Sequence, residues 1–303
     1  MQKITPNLWF KGDAEEAINF YLSVFNGGKI ITKSYYPTEG LPDFQKPFAG
    51  KVLAIHFELF GQGFIAINAG DEFTPTPANS FMVNFDPSRD VKAREHLEIM
   101  WSKLINGGKS LMPLQKYDFS ELYGWVEDKY GYSWQLILTN PQGEPRPPII
   151  PSFMFTGDKP QAEQAIHFYQ TVFKNAEVGQ IYHYDSTKMP NMKNMVMFSE
   201  FTIENQWFVA MDGGSAHNFS FNEAVSYNIA CKDQAEIDYY WEKLSAVPKA
   251  EQCGWCKDKY GLSWQINPEN IKKIMLTPGA WEKLLRMKKI DIAELQKTDK
   301  KLK

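Results

Sequence analysis

The string YGWVEDKYGYSWQ at residues 123–135 returns as CGWCKDKYGLSWQ at 253–265, identical in 9 of 13 positions. The likeness extends back through both halves: ITPNLWFKGDAEEAINFYLSVF from Ile4 parallels IIPSFMFTGDKPQAEQAIHFYQTVF from Ile149, and FIAINAG (64–70) parallels FVAMDGG (208–214). The offset between the halves runs 145, 148, 144 and finally 130 residues. A period this long marks a duplicated domain, because solenoid repeats recur every ~20–50 residues. The Pro/Gly-dense stretch NPQGEPRPPIIP (140–151) reads as the linker, giving copy one at 1–142 and copy two, with a C-terminal helical extension, at 149–303.

Each copy repeats one grammar. In copy one an extended stretch (4–10) leads through Gly12-Asp13 into a helix burying Ala17, Ile18, Tyr21, Leu22 and Phe25 at helical spacing, which Gly27-Gly28 stops. Strands are predicted near 29–36, 51–60 and 63–68. The pattern then restarts with a strand at 80–85, a helix at 90–105, and strands near 109–115, 123–127 and 132–138. This is βαβββ twice per copy, four modules in all, an α+β chain.

The sequence resembles the vicinal-oxygen-chelate superfamily of glyoxalase, bleomycin-resistance and extradiol-dioxygenase proteins, whose unit is a paired βαβββ module. ITPNLWFKGDAEEAINFY, FNEAVSYNIACKDQAEIDYYWEKL, GWCKDKYGLSWQINPE and MKKIDIAELQK resemble its PhnB-like branch, labelled 3-demethylubiquinone-9 3-methyltransferase. The resemblance implies tandem glyoxalase-like domains, one chain standing for the dimer of single-domain relatives, with one ligand cavity per copy. The residues argue against methyl transfer, since a doubly wound S-adenosylmethionine site needs a Gly-rich strand-to-helix turn and the chain has no G-x-G-x-x-G.

Carried onto this chain, the superfamily's ligand positions fall on Thr5 and Ile150 (first strand), Ser80 and Ser226 (fifth) and Gln135 and Gln265 (eighth). Neutral side chains leave a dication uncompensated, so no metal and no other cofactor is expected, a divalent ion being the alternative. Asp212, with Asn68 as its counterpart, is the best remaining carboxylate. If Gln135 and Gln265 face inward, strand alternation turns Ser133 and Ser263 inward and Trp134 and Trp264 toward the core. Asn7 and Trp9 then join the cavity of copy one, and Ser152 and Met154 that of copy two. The expected ligand-binding set is therefore Asn7, Trp9, Ser80, Ser133, Gln135, Ser152, Asp212, Ser226, Ser263 and Gln265. Such apolar, aromatic sites with amide and hydroxyl tips suit a small organic ligand. The function expected is small-molecule binding, the alternative being a metal-dependent lyase, isomerase or dioxygenase.

The remaining features are read more plainly. Cys253 and Cys256 form a C-x-x-C, but i and i+3 in a strand face opposite ways and copy one has Tyr123 and Val126 there, so the thiols read as packing. His56 and Glu58 are expected to pair on a solvated strand face, His183 reads either as facing the copy-two cavity or as a strand-edge residue, and His217 lies in the loop GGSAHNF, a functional position without a His counterpart in copy one. TPGAWEKLLRMKKIDIAELQK reads as one helix capped by Thr277, its stripe of Trp281, Leu284, Leu285 and Ile290 packing on the sheet or against a second subunit in a homodimer. The Lys-rich end KTDKKLK reads as a solvated tail. A net charge of -3 argues against a nucleic-acid-tracking surface. No stretch approaches the ~18 apolar residues of a membrane span. With three cysteines and no cleavable leader pattern, the expectation is a cytoplasmic protein without membrane contact.

Overall fold

The computed structural model describes residues 2–298, so the last Lys-rich residues lie outside the described residues. Module one comprises β1 (Ile4–Phe10), α1 (Ala14–Val24), β2 (Lys29–Tyr35), β3 (Val52–Leu59) and β4 (Gln62–Asn68). Module two comprises β5 (Asn79–Phe85), α2 (Ala93–Leu104), β6 (Lys109–Tyr117), β7 (Ser120–Glu127) and β8 (Ser133–Leu138). Copy two follows with β9 (Ile149–Thr156), α3 (Ala162–Val172), β10 (Glu177–His183), β11 (Val196–Ile203) and β12 (Gln206–Gly214), then β13 (Val225–Cys231), α4 (Gln234–Leu244), β14 (Trp255–Lys257) and β15 (Ser263–Pro268). Among the described residues three short helices follow: α5 (Ile271–Ile274), α6 (Ala280–Arg286) and α7 (Ile292–Gln296).

The fourth module departs from the expected grammar. Where module two has β6, copy two has a single turn of 3₁₀ helix at Pro248–Ala250. The drop of the repeat offset from 144 to 130 records this lost strand.

The α+β class and the tandem glyoxalase-like architecture stand, but each sheet mixes the copies. The seven-stranded sheet runs β14-β15-β13-β1-β4-β3-β2, and the eight-stranded sheet β10-β11-β12-β9-β5-β8-β7-β6. Module one thus pairs with module four through β1 and β13, with Ile4 opposite Ile229 and Leu8 opposite Val225. Module two pairs with module three through β5 and β9, with Asn79 opposite Phe153 and Val83 opposite Ile149. The expectation of one cavity per copy is corrected: each sheet face is composite.

Period-2 alternation explains why the sheets hold together. Leu8, Phe81, Trp134, Phe153, Tyr227 and Trp264 turn to the helix-covered side and join one continuous core with Ile18, Tyr21, Ile166 and Tyr169 of the helices. The opposite faces carry no helix of their own modules, and these are where the candidate residues lie. In the seven-stranded sheet that face curls enough for Trp9 of β1 to meet Trp255 of β14 across the two strands between them, with ring centroids 6.0 Å apart.

The single C-terminal helix is also corrected. Gly279 sits at φ +79 and Asp291 accepts from the Glu294 amide to restart a helix, so the segment breaks into pieces that dock on different surfaces. The Cys253 and Gly254 amides donate to the Met287 and Lys288 carbonyls, lining this segment along the region that the missing strand leaves open.

Candidate functional site

The most specific string of the sequence is largely structural. Asp128 is 3% exposed, and its carboxylate accepts four hydrogen bonds: from the Tyr21 hydroxyl and Trp134 Nε1, each at 2.8 Å, and from the amides of Tyr130 (2.8 Å) and Tyr132 (3.1 Å). Asp258 repeats this with Tyr169, Trp264, Tyr260 and Leu262. The D-K-Y-G-x-S-W spacing therefore ties a turn, a strand and the first helix of the same copy to one buried carboxylate. Burial pushes the Asp128 carboxyl up to about 6 despite these donors, and raises that of Asp258 as well. Gly124 belongs to the same logic, because a Cβ there would lie 2.5 Å from the Trp101 ring of α2.

The last residue of the string faces the other way. On the open face of the eight-stranded sheet Gln135 Nε2 donates to Ser80 Oγ at 2.7 Å and Ser152 Oγ at 3.4 Å, while its Oε1 accepts from the Tyr123 hydroxyl at 2.7 Å. β5 lies between β8 and β9, so Ser80 is in register with both Ser133 and Ser152. Around this neutral polar floor stand Met82, Ile150, Val209, Tyr123, Trp125 and Met154, with Trp207, Met211 and Phe219 half-buried at the margin. Methionine and aromatic walls adapt to varied ligand shapes. Two buried donors, Trp125 Nε1 and Ser133 Oγ, have no partner among the described residues. One rim is set by Arg146 of the linker, which stacks 4.7 Å from the Trp207 ring and pairs with Glu200 at 2.8 Å.

The seven-stranded sheet carries the counterpart. Gln265 Nε2 donates to Ser226 Oγ at 2.9 Å, but Cys253 stands where Tyr123 does and no phenol reaches the Gln265 carbonyl among the described residues. Asn7, Ser226 and Ser263 occupy one transverse row. Asn7 Oδ1 and Ser263 Oγ are buried without partners among the described residues. Trp9 lies on the same face, its indole N–H donating to the Gly70 carbonyl at 2.7 Å.

The structure thus groups Ser80, Ser133, Gln135 and Ser152 on one face and Asn7, Trp9, Ser226, Ser263 and Gln265 on the other. The sequence reading had placed Asn7 with Gln135, and Ser152 with Gln265. Asp212 belongs to neither face: it points to the helix side, where Oδ1 accepts from the Gln161 and Ala162 amides at 2.9 and 3.0 Å and Oδ2 from the Val196 amide at 2.9 Å. Asn68 does the same for α1 through the Ala14 amide. This shared helix-anchoring duty explains why the position is polar in both copies.

Other expectations shift too. His56 is half-buried on the open face rather than solvated beside Glu58, which pairs with Lys29 at 3.3 Å. His183 bonds to Glu163 of α3 and, in register with core-facing Val196, turns to the helix side, while the His217 ring packs tilted on Phe219 at 4.9 Å. Cys253 lies in a left-handed turn at φ +52 and Cys256 is core, and burial raises both thiols. Sequence reasoning missed Tyr123 and Trp125, although alternation along β7 would have found them, since Trp125 is in register with Gln135.

Desolvation, with the charge of Lys272 adding to it, holds the His56 imidazole down to about 4. We expect its ring protons to titrate with a midpoint near that value by NMR. A midpoint near 6.5 would show that this face is wetter than the geometry implies. Because the folded value lies below the unfolded one, the His56 contribution to stability is full above pH ~6.5 and is lost as pH falls through ~4.

Comparison with known proteins agrees with this architecture. The family model described as 3-demethylubiquinone-9 3-methyltransferase matches residues 2–137 and again 147–267. A solved PhnB protein of Bacillus cereus, described with the same methyltransferase name, is 41% identical over 46% of this chain and 100% of its own, with a TM-score of 0.39. Glyoxalase I of Zea mays is 13% identical over 90% of this chain and 96% of its own, with a TM-score of 0.50. A mutant of that enzyme is 14% identical over 89% of this chain and 95% of its own, with a TM-score of 0.51. At that identity the likeness speaks for the fold alone. No curated protein matches the chain. The chain belongs, twice over, to the family described as 3-demethylubiquinone-9 3-methyltransferase.

Proposed function

We propose that the chain is a binding protein for a small, neutral, largely aromatic molecule, held without chemical conversion on the open face of the eight-stranded sheet. The observation that carries this reading is the pair of buried donors, Trp125 Nε1 and Ser133 Oγ, left unpartnered among the described residues beside the Gln135–Ser80–Ser152 floor. Unpaired buried donors are costly, and a ligand carbonyl placed over them would offset that cost while the Met and aromatic walls enclose its apolar part.

The groups that the family implies do not fit these residues. Among the described residues no three His, Cys, Asp or Glu side chains converge, and Gln135 spends its amide on Ser80 and its carbonyl on Tyr123. A dication there would meet only neutral hydroxyl and amide oxygens, which leave its charge uncompensated. Nor does either sheet present, among the described residues, the glycine-rich strand-to-helix turn at a doubly wound sheet's switch point that S-adenosylmethionine chemistry would use. The three free cysteines support a cytoplasmic setting. Among the described residues no helix is long and apolar enough to cross a membrane.

Titration of the full chain with acetophenone, followed by tryptophan fluorescence and by mass spectrometry of the recovered compound, tests the reading. Ser133→Ala and Trp125→Phe should each weaken binding by about fivefold, the worth of one net hydrogen bond. Turnover of the compound, or affinity indifferent to both substitutions, would defeat it.

A further inference from the structure

The two open faces differ in what they leave unpaired. On the eight-stranded sheet the buried atoms without partners are an indole N–H and a hydroxyl, Trp125 Nε1 and Ser133 Oγ, and the Gln135 carbonyl is already satisfied by Tyr123. No acceptor carbonyl is left over there. At the offset of 145 residues the counterpart of Ser152 is Asn7, and this exchange brings a free acceptor to the seven-stranded sheet. Asn7 Oδ1, on a residue 3% exposed, has no partner among the described residues. Beside it Ser263 Oγ, on a residue 1% exposed, is also unpaired, and Ser226 accepts from Gln265 Nε2 and keeps its own proton free.

The register puts these three groups within reach of one small ligand. Asn7 lies directly opposite Ser226, and Ser226 is in register with Ser263, on the consecutive strands β1, β13 and β15. The outer pair is two strand spacings apart, about 10 Å at the backbone, and side chains on a concave face converge. Two indoles roof the row. Trp9 stands two residues beyond Asn7 on one side of it, and Trp255, in register with Gln265, stands on the other. Their rings close to 6.0 Å over β13 and β15, and Phe73 packs edge-on against Trp9 at 5.0 Å. This roof is why polar atoms on an open face are dry. Lys257, at the end of the row, is in register with Ser263 and neutralised by Glu223 at 2.7 Å, so it offers no free charge.

We propose that the roofed row is a second ligand site, which takes a neutral aromatic carboxamide: the ligand carbonyl accepts from Ser226 and Ser263, its N–H donates to Asn7 Oδ1, and its ring lies against Trp9 and Trp255. A ketone satisfies the unpaired groups of the eight-stranded face, whereas here it would leave the Asn7 oxygen unpaired. Exchange of a single residue between the copies, Asn7 for Ser152, thus gives one chain two sites of different hydrogen-bonding preference.

Titration of the full chain with benzamide, followed by NMR at the Trp9 indole N–H resonance assigned with Trp9→Phe, reads this sheet and not the other. Benzamide should shift the resonance saturably and bind about tenfold more tightly than acetophenone, the cost of leaving one buried acceptor unpaired. Asn7→Val should erase that preference. Ser263→Ala should weaken benzamide about fivefold at an unchanged melting temperature, because the hydroxyl has no partner in the free protein. An unshifted Trp9 resonance, equal affinities for the two probes, or a benzamide preference that survives Asn7→Val would overturn the second site. Ser133→Ala, on the opposite sheet, should leave the Trp9 titration unchanged, so neither result bears on the reading of the eight-stranded face.

Discussion

Produced as separate polypeptides, residues 1–142 and 149–303 are expected to co-purify as a one-to-one complex, and copy one alone is expected never to persist as a folded monomer. The reason lies in the strand order. Cutting the linker leaves every strand pairing intact, but removing copy two strips β1 of β13 and β5 of β9, exposing central strands of both sheets as open edges. Open, flat edges with apolar neighbours recruit other strands. Side-chain ties are lost as well: the Tyr132 hydroxyl reaches across to the Ala224 carbonyl, Tyr227 bonds Asn79 at 3.2 Å, and Lys3 pairs with Glu236 at 2.7 Å. Because the copies are alike, copy one alone should relieve its edges by pairing β1 with β5 of a second molecule. Light scattering coupled to size exclusion would report a dimer or aggregate. A stable monomer with native-like dispersion in NMR would mean that the inter-copy pairing is dispensable.

How far the sequence foretold this can be argued from particular residues. The four modules were legible because alternation and helical periodicity are local, and Trp134 and Trp264 were rightly assigned to the core for that reason. Which module pairs with which was not legible, since each copy contains two modules with equivalent edge strands and alternation is satisfied by either pairing. Gln135, Ser80 and Ser152 were named, yet only the composite sheet shows that they touch. Asp212 reads from sequence as the best remaining carboxylate, because nothing local shows that the amides of Gln161 and Ala162 at the start of α3 claim it.

The same contrast between local pattern and tertiary demand governs the strongest single-residue effect expected in the core. Asp128→Ala should cost about 4 kcal/mol at pH 7, because it leaves the Trp134 indole and two backbone amides unpaired in a dry interior and empties the volume between them. Asp128→Asn keeps the shape and one acceptor oxygen, so about 2 kcal/mol is expected, its amide opposing the indole N–H as a second donor. The two effects to be weighed in the wild type are four donors, which favour the carboxylate, and near-complete burial, which disfavours it; burial prevails, and the carboxyl rises to about 6. The sign follows from linkage. A group whose folded value lies above its unfolded value near 3.9 lends stability that is greatest below pH ~4 and is lost as pH rises through ~6. The gap in unfolding free energy between wild type and Asp128→Asn, measured by urea denaturation, should therefore widen by on the order of 2–3 kcal/mol as pH is lowered from 7 to 4. His56, titrating the opposite way over the same range, is common to both proteins and cancels in the difference. A gap that narrows instead would show that the four donors outweigh desolvation, and would make the Asp128 network a stabilising ion at neutral pH instead of a tolerated one.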